Sequence, residues 1–293
     1  MTRHPSIAVT PCWLGWDEGK KMREGRLNLL PSLFSVYNDN ECDETSHLMA
    51  KFLLENFDRL DTLTVNDLMD AAFVSRSGVR RFCQSIGFGN FSEVRDAANE
   101  WAMFRQYYLS YSLLYSDVKL HLREDLSQVF SDIDRLMTPT IVQGLCSDLH
   151  DSRHVVLLTS DSSSASLINF QRAMAMLKRL VQMVTESAPT TYTVRNLTDN
   201  DLLLVVSASG SFARAQTEQI EASGAKKIFV TASADDSLFG LYDQVLAIKP
   251  PTIRQSPKHV LYATYAMEYL FDQVQVAYAR LFDESLGEID ISW

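Results

Sequence analysis

The second of two serine-rich segments in the carboxyl-terminal half of the chain has the residue types and spacing to bind an anion. "LLTSDSSSA" (157–165) and "LLVVSASGSFARA" (203–215) each follow an apolar, strand-like run and lead into a helical pattern. Hydroxyls and free backbone N–H groups at the start of a helix bind anions, and glycine lets a backbone approach closely. In the second segment, the predicted ligand-binding residues are Ser207, Ser209, Gly210 and Ser211.

A basic cluster lies upstream of both serine segments. Between residues 76 and 95 there are four arginines against one glutamate, a local balance of +3. Clustered arginines contact phosphate oxygens and base edges in nucleic acids, although a solvated helix face is the alternative interpretation. The net charge of −10 argues against a protein that coats nucleic acid non-specifically, because such binding needs clustered Lys and Arg.

This arginine segment lies in a region that shows only helical signals. Thr64 and Ser75 are predicted N-caps of two successive helices, and Val79, Phe82 and Ile86 recur at spacings of three and four. Two short helices followed by a third with its arginines on the outer face predict a helix-turn-helix, which places a recognition helix in the major groove of DNA. The predicted DNA-binding residues are Ser75, Arg76, Ser77, Arg80 and Arg81.

Beyond residue 153, near-continuous apolar strands alternate with helices. This pattern indicates a parallel sheet covered on both faces, with ligands at the carboxyl ends of its strands. The predicted fold class is α/β: an all-α helix-turn-helix domain followed by a three-layer parallel-sheet domain. The predicted divisions are an amino-terminal extension (1–26), the helix-turn-helix domain (27–105), a helical connector (106–129) and the sheet domain (130–293).

The helical region resembles the DNA-binding domain of the RpiR/MurR-type bacterial transcription regulators. The matching residues are Val74, Ser75, Val79, Arg81, Phe82, Gly87, Phe88 and Phe91, and Gly78 departs from the Thr or Ser that is usual there. The resemblance leaves Arg80 in a variable position. We therefore expect Arg76 and Arg80 to approach the bases, and Arg81 to contact the DNA backbone or to pair with Asp67 or Asp70.

Residues 130–275 resemble the sugar isomerase (SIS) domain, which in these regulators senses a phosphorylated sugar. The best-kept motif is Ser207-x-Ser209-Gly210 after its strand. The resemblance also implies that Ser162, Ser163 and Ser164 of the first serine segment bind the ligand. Three positions depart from the family pattern, and Arg214 is a possible compensating charge. The departures are Thr159 and Asp161 at usual glycine positions and Phe212 at a usual phosphate-binding threonine.

Three functions follow as hypotheses. The first is a regulator of sugar metabolism that senses a sugar phosphate, and the second is the same regulator with a ligand-free SIS domain kept for oligomerisation. The third is a sugar-phosphate isomerase, which needs a positioned general base. Among the histidines only His259 lies near a plausible ligand site, and a surface or capping role is the simpler interpretation of it.

The remaining expectations concern partners and location. The partners implied are operator DNA with an inverted repeat, a small sugar phosphate, and a second copy of the chain in a dimer or tetramer, because the helix at 259–282 is broadly apolar. Four widely spaced cysteines favour neither a metal site nor disulfides, and no cofactor is expected. The chain is expected to be cytoplasmic, with Met22 as a possible physiological start.

Overall fold

The computed structural model describes residues 29–39, 42–101, 116–185, 191–233, 235–248 and 262–287, together with Arg105 and Leu109. The expectations for residues 1–26, Met22 and His259 lie outside the described residues. No helix in the described part of the chain is both long and apolar enough to cross a membrane.

The amino-terminal part is all α-helical in its described elements. A 3-10 turn at Phe57–Thr62 joins the second helix to the third. The helices are α1 (Leu29–Tyr37), α2 (Glu44–Glu55), α3 (Val65–Ala72), α4 (Arg76–Ser85) and α5 (Phe91–Arg95).

Local capping explains where these helices begin. Thr64 and Asp67 form a capping box at α3: the Asp67 carboxylate accepts the Thr64 N–H at 2.7 Å, and the Thr64 hydroxyl accepts the Asp67 N–H at 3.3 Å. The Ser75 hydroxyl accepts the Gly78 N–H at 3.3 Å and caps α4. Both predicted N-caps are therefore confirmed.

The apolar faces of these helices form one core. Each large side chain in it stabilises the fold by about 1.5–3 kcal/mol relative to its exposed state. The predicted inward residues Val79, Phe82 and Ile86 are all buried, as expected from their helical spacing. They pack with Leu33, Leu53, Leu68, Phe88 and Phe91, among others.

The carboxyl-terminal part is built around a parallel sheet with the strand order β2-β1-β3-β4-β5. Its strands are β1 (Val155–Thr159), β2 (Val181–Val184), β3 (Leu202–Val206), β4 (Lys226–Thr231) and β5 (Gln244–Ala247). Its helices are α6 (Val118–Leu136), α7 (Pro139–Asp151), α8 (Asp161–Ser164), α9 (Ile168–Met176), α10 (Thr191–Arg195), α11 (Ser211–Ala215), α12 (Thr217–Glu221) and α13 (Met267–Phe282). Shorter 3-10 segments at Ala165–Leu167, Phe239–Leu241 and Glu284–Gly287 and a π-helical turn at Tyr262–Ala266 complete it.

Helices cover both faces of this sheet. Alternate strand residues enter two separate cores: one with α6, α7, α9 and α13, the other with α10, α11 and α12. Strands β1 and β3 are buried throughout, as parallel strands between two helical layers must be. The predicted fold class, an all-α domain followed by a three-layer parallel-sheet domain, is confirmed.

Helix α6 bears on the predicted domain division. It runs across the predicted boundary between residues 129 and 130, and its Val129 and Ile133 are fully buried in the sheet core, with Leu122 and Leu126 packed beside them. Residues 118–129 thus pack with the sheet rather than apart from it.

Helix α13 packs on its own sheet. Met267, Leu270, Phe271 and Val274 are buried in the same core as α6. Exposed apolar side chains remain on Tyr265, Val276 and Leu281. The apolar residues of the predicted helix at 259–282 therefore include some that are buried against the sheet and some that are exposed.

Candidate functional site

The turn between α3 and α4 sets the geometry of the first site. Phe73 ends α3 in the left-handed region with φ of 54°, and the N–H groups of Phe73 and Val74 both donate to the carbonyl of Met69. Only three residues, 73–75, separate the end of α3 from the start of α4 at Arg76. Helices α3 and α4 thus form the two halves of a helix-turn-helix.

The predicted DNA-binding residues lie together on the exposed side of this motif. Ser75, Arg76, Ser77, Arg80 and Arg81 are all exposed. None of the three arginines forms an ion pair with another described residue. The expected pairing of Arg81 with Asp67 or Asp70 is absent from the described contacts, and the Asp67 carboxylate is engaged in the capping box. Those hydrogen bonds from Thr64 also lower the pKa of Asp67.

The structure accounts for the departure at Gly78. A Cβ atom built at this position would lie 3.2 Å from the Cβ of Val74, closer than most real contacts. Val74 is half-buried beneath the turn, so its room to shift is small. Glycine at position 78 therefore lets the start of α4 pack closely on Val74.

The second site lies at the point where the order of the strands reverses. β1 lies between β2 and β3, and the helices that follow β1 and β3 pack on opposite faces of the sheet. A crevice opens between the carboxyl ends of two such strands, and ligands of parallel α/β sheets bind there. Both serine segments occupy this position, one after β1 and the other after β3.

The segment after β1 turns directly into helix. Ser160 and Ser163 are buried, with their hydroxyl oxygens 3.1 Å apart, and the Ser160 carbonyl accepts the N–H groups of Ser163 and Ser164. Ser164 is half-buried. Ser162 lies in α8. The run of hydroxyl side chains thus starts at Ser160, two residues before the predicted Ser162.

The segment after β3 contains a left-handed glycine. Gly210 has φ of 79°, and its N–H donates to the carbonyl of Ser207, which closes a tight turn before α11. The Ser207 side chain is buried and accepts the Ala213 N–H at 3.4 Å, so it stabilises the turn from inside. Ser209 and Ser211 are exposed, and the Ser209 hydroxyl accepts the Ser211 N–H.

Two of the three residues that depart from the SIS-domain pattern, Thr159 and Phe212, have structural roles. Thr159 is fully buried and donates its hydroxyl to the Val206 carbonyl at 3.0 Å, which joins the ends of β1 and β3. Phe212 packs into the core between the sheet and α10–α12. Neither side chain is free to line the crevice. The backbone of Asp161 begins α8.

The positive charge of Arg214, near the second serine segment, is neutralised by a carboxylate of the same domain. The Arg214 guanidinium pairs with Asp235 and also donates to the Ser237 hydroxyl at 3.2 Å. Hydrogen bonds from Ser237 and the nearby Arg214 charge lower the pKa of Asp235. This pair links α11 to the segment after β4.

Sequence reasoning missed the contribution of β4. The Thr231 hydroxyl donates to the Ser207 carbonyl at 2.8 Å, and a Cβ at Gly210 would lie 3.4 Å from Ser233. The run "KKIFVTAS" ends in hydroxyl residues after an apolar strand, the same signal that identified the other two segments. That signal could have placed Thr231 and Ser233 at the same edge of the sheet.

Two described histidines of the sheet domain, His150 and His154, lie at the end of the sheet opposite the serine segments. His154 precedes β1, and its Nδ1 atom is 2.8 Å from the buried Asp201 carboxylate, just before β3. His150 lies in α7, 3.1 Å from the Tyr278 hydroxyl. Within the described residues, no group of three or more His, Cys, Asp or Glu side chains could hold a metal ion.

A comparison with protein families decides the nature of the first site. The model described as "Helix-turn-helix domain, rpiR family" matches residues 28–100. Residues 28–100 are an RpiR-family helix-turn-helix domain. The RpiR-family domain includes α1–α5, and its α3–turn–α4 unit carries the arginine cluster.

Three solved structures are similar to the chain at low identity. The Vibrio vulnificus NanR protein complexed with ManNAc-6P has 17% identity and a TM-score of 0.45, over 89% of this chain and 96% of that one. The sugar isomerase domain of an RpiR transcription factor from Sphaerobacter thermophilus has 15% identity and a TM-score of 0.45, over 59% and 100%. The E. coli CFT073 protein c3406 in complex with A5P has 16% identity and a TM-score of 0.42, over 59% and 96%. No curated protein matches the chain by sequence.

Proposed function

We propose that the chain is a DNA-binding transcription regulator of sugar metabolism whose sheet domain senses a phosphorylated sugar, and that it is not an enzyme. The observation that carries this proposal is the union of an RpiR-family helix-turn-helix with hydroxyl segments at the switch point of a parallel sheet. Binding at the sheet then changes the affinity of the paired DNA-binding domains for their operator.

The exposed arginines of α4 support the DNA partner. Ser75, Arg76, Ser77, Arg80 and Arg81 are the side chains that we assign to the DNA surface. A two-fold dimer of helix-turn-helix domains binds an inverted repeat whose half-site centres are about 10 base pairs apart, or a multiple of that spacing. Because residues 41–101 hold 6 basic against 11 acidic side chains, long-range attraction to DNA is weak and paired domains must supply affinity.

The two hydroxyl segments support an anionic ligand rich in hydroxyls. Ser162–Ser164 and Ser209–Ser211 provide donors that serve both a phosphate group and sugar oxygens. Ser207 holds the turn around Gly210 from inside. A neutral set of donors is consistent with Arg214 being engaged by Asp235.

Self-association is part of the proposal. Tyr265, Val276 and Leu281 of the α13 region expose apolar surface, and aromatic side chains are enriched in interfaces. We expect a dimer or a tetramer in solution. Light scattering of the full chain at micromolar concentration tests this, and a monomer mass would contradict it.

A second candidate is the same regulator with a ligand-free sheet domain kept for oligomerisation. The observation that favours it is the Arg214–Asp235 pair, which leaves the crevice without an unpaired arginine on α11. An isomerase has less support, because His150 and His154 lie away from the carboxyl ends of β1 and β3.

A thermal-shift screen separates these functions. The full chain is heated with a panel of sugar phosphates, with the parent sugars and inorganic phosphate as controls. A native-state ligand raises the apparent stability by RT ln(1 + [L]/Kd), about 2.7 kcal/mol at a hundredfold excess over Kd. We expect one sugar phosphate to raise the unfolding temperature, Ser209→Ala to reduce that rise, and Ser131→Ala, on the exposed side of α6, to leave it unchanged.

Fluorescence anisotropy tests the DNA-binding part of the proposal. The probe is DNA from the region upstream of the gene that encodes the chain. The active sugar phosphate should change the affinity of the wild type for that DNA. DNA binding without a rise in unfolding temperature from any sugar phosphate would favour the ligand-free regulator. A rise in unfolding temperature with a sugar phosphate, without binding to any duplex, would favour the isomerase.

A further inference from the structure

A cleft in the RpiR-family domain brings together two arginines that the sequence separates by almost twenty residues. The cleft has a volume of about 240 Å³ and lies between the starts of α3 and α4 and the helix α5. It is lined by Thr64, Val65, Asn66, Arg76, Phe91, Ser92 and Arg95. Arg95 is not among the residues assigned above to the DNA surface.

The lining of this cleft suits an anion. Arg76 and Arg95 are exposed and form no ion pair with any described residue, so both guanidinium groups keep their full donor capacity. Thr64, Asn66 and Ser92 add neutral polar groups, and Phe91 and Val65 supply an apolar part of the wall. None of the lining residues is acidic.

Two carboxylates on the elements that form the cleft, those of Asp67 and Glu93, are already engaged. Asp67 accepts hydrogen bonds from the N–H and hydroxyl of Thr64 at 2.7 Å, on the α3 side of the cleft. Glu93 accepts the Gly89 N–H at 3.0 Å, on the α5 side. These hydrogen bonds hold both carboxylates in local caps, and the two arginines remain available to an external anion.

We propose that this cleft binds a phosphodiester group of the DNA backbone, held between Arg76 and Arg95. The proposal rests on the DNA-binding function proposed above and deepens it. It moves Arg76 from base reading to backbone contact and adds Arg95 to the DNA surface. Arg80 lies one turn further along α4, outside the cleft lining, and remains the residue assigned to base edges.

The division of labour between these arginines follows from general features of DNA recognition. Contacts to phosphates fix the position and orientation of a protein on the duplex but carry no sequence information. A cation that neutralises a phosphate also releases counterions, so its loss lowers the salt dependence of binding. Arg76 and Arg95 should therefore affect all sequences alike, and Arg80 should not.

The experiment compares single variants of the full chain on two probes: a duplex from the chain's own upstream region and a mixed-sequence duplex of equal length. Fluorescence anisotropy is measured at several salt concentrations between 50 and 200 mM. Arg95→Ala should weaken binding to both probes by about tenfold and reduce the slope of log K against log salt by about 0.9 for each cleft that contacts DNA. Arg95→Lys should recover only part of the loss, because a lysine lacks the planar fork of donors.

Matched controls separate the cleft from general charge. Lys51→Ala removes one positive charge from α2, where Lys51 pairs with Glu55, and should leave both affinities near the wild-type value. The double variant Arg76→Ala/Arg95→Ala should lose less than the product of the two single losses, because one phosphate contact cannot be lost twice.

The outcomes distinguish this proposal from the one on which it rests. If the wild type binds DNA and Arg95→Ala behaves like Lys51→Ala on both probes, the cleft proposal is overturned and the regulator remains. An Arg95→Ala effect confined to the upstream probe would also overturn it, because a phosphate contact is independent of sequence. If the wild type binds neither probe, both proposals are overturned.

Discussion

The arginine cluster of the helix-turn-helix domain and Arg214 beside the second serine segment are held in opposite ways. The four arginines of residues 76–95 are exposed and have no ion-pair partner among the described residues, whereas Arg214 beside the serine segments pairs with Asp235. An unpaired exposed cation keeps its donors for an external anion, while an exposed ion pair contributes only about 0–1 kcal/mol to stability. The comparison teaches that the proposed DNA surface keeps unpaired positive charge, and that the proposed sugar-phosphate site depends mainly on hydroxyls and backbone N–H groups.

The largest expected effect comes from removing the unpaired arginines of α4. The triple variant Arg76→Ala/Arg80→Ala/Arg81→Ala should weaken binding to the upstream DNA at least about a hundredfold, because each good contact contributes about 1–3 kcal/mol. The fold should survive, since all three side chains are exposed. Anisotropy measures the loss, and circular dichroism checks the fold.

Equal and feeble binding of the wild type and the triple variant to every duplex would contradict the DNA-binding function. The control is Arg214→Ala, which removes one arginine from the other domain. Because Arg214 is paired and distant from the helix-turn-helix in sequence, we expect its loss to leave DNA affinity unchanged in the absence of sugar phosphate.

The next largest effect is a loss of stability expected at the end of the sheet opposite the serine segments. Buried Asp201, at the amino end, accepts the N–H and ring Nδ1 of His154 and the N–H and hydroxyl of Thr198, at 2.8–3.1 Å. Replacing a buried hydrogen-bonded carboxylate by an amide leaves partners unsatisfied, so Asp201→Asn should lower the free energy of unfolding by about 1–3 kcal/mol at pH 7. Urea unfolding measures this loss. The rise in unfolding temperature caused by a sugar phosphate should persist, because its proposed site lies at the opposite end of the strands.

Asp201 also predicts a pH dependence. Burial opposes ionisation, but the hydrogen bonds from Thr198 and His154 outweigh it and lower the pKa of Asp201 from its ordinary 3.8. A carboxyl with a lowered folded-state pKa stabilises the protein above its unfolded-state value, and this stability is lost as the pH falls through the folded-state pKa. Wild-type stability should thus decline below about pH 4 more steeply than that of Asp201→Asn. Parallel decline of both proteins would contradict this assignment.

A smaller effect is expected at the turn of the second serine segment. Gly210 has φ of 79°, and an L-residue in this region costs about 1–2 kcal/mol. Gly210→Ala should therefore lower the free energy of unfolding by about that amount and also weaken sugar-phosphate binding, because the backbone N–H groups move. Gly144→Ala is the matched control: a Cβ there meets nothing within 4 Å inside α7, so alanine should stabilise by up to about 1 kcal/mol.

The two domains also differ in how far their sequences predicted them. The helix-turn-helix could be predicted from local signals, since Thr64 and Ser75 cap their helices and the apolar residues recur at helical spacing. Arg95 was missed as a partner of Arg76, because their meeting depends on how α5 packs against α3 and α4. Periodicity along one helix carries no information about such packing.

In the sheet domain, the alternating pattern predicted the layers and the edge at which the serines lie. It did not predict which hydroxyls are used internally. Ser207 supports its own turn, Thr159 joins two strand ends, and Phe212 faces a core rather than the crevice. These outcomes depend on strand register and on neighbours far away in sequence.

The smallest expected effect concerns the turn of the helix-turn-helix. Phe73 has φ of 54° and is 91% exposed, so the fold bears a strained backbone without burying the ring. Phe73→Gly should raise the free energy of unfolding by about 1 kcal/mol, since glycine is the usual residue at a left-handed helix end. Phe73→Ala keeps the Cβ and the strain, and should change stability by less than about 0.5 kcal/mol. If the alanine variant gains as much stability as the glycine variant, the exposed ring and not the backbone is the source of the cost. DNA affinity of both variants should stay within about twofold of the wild type, because the unpaired arginines supply the electrostatic contacts.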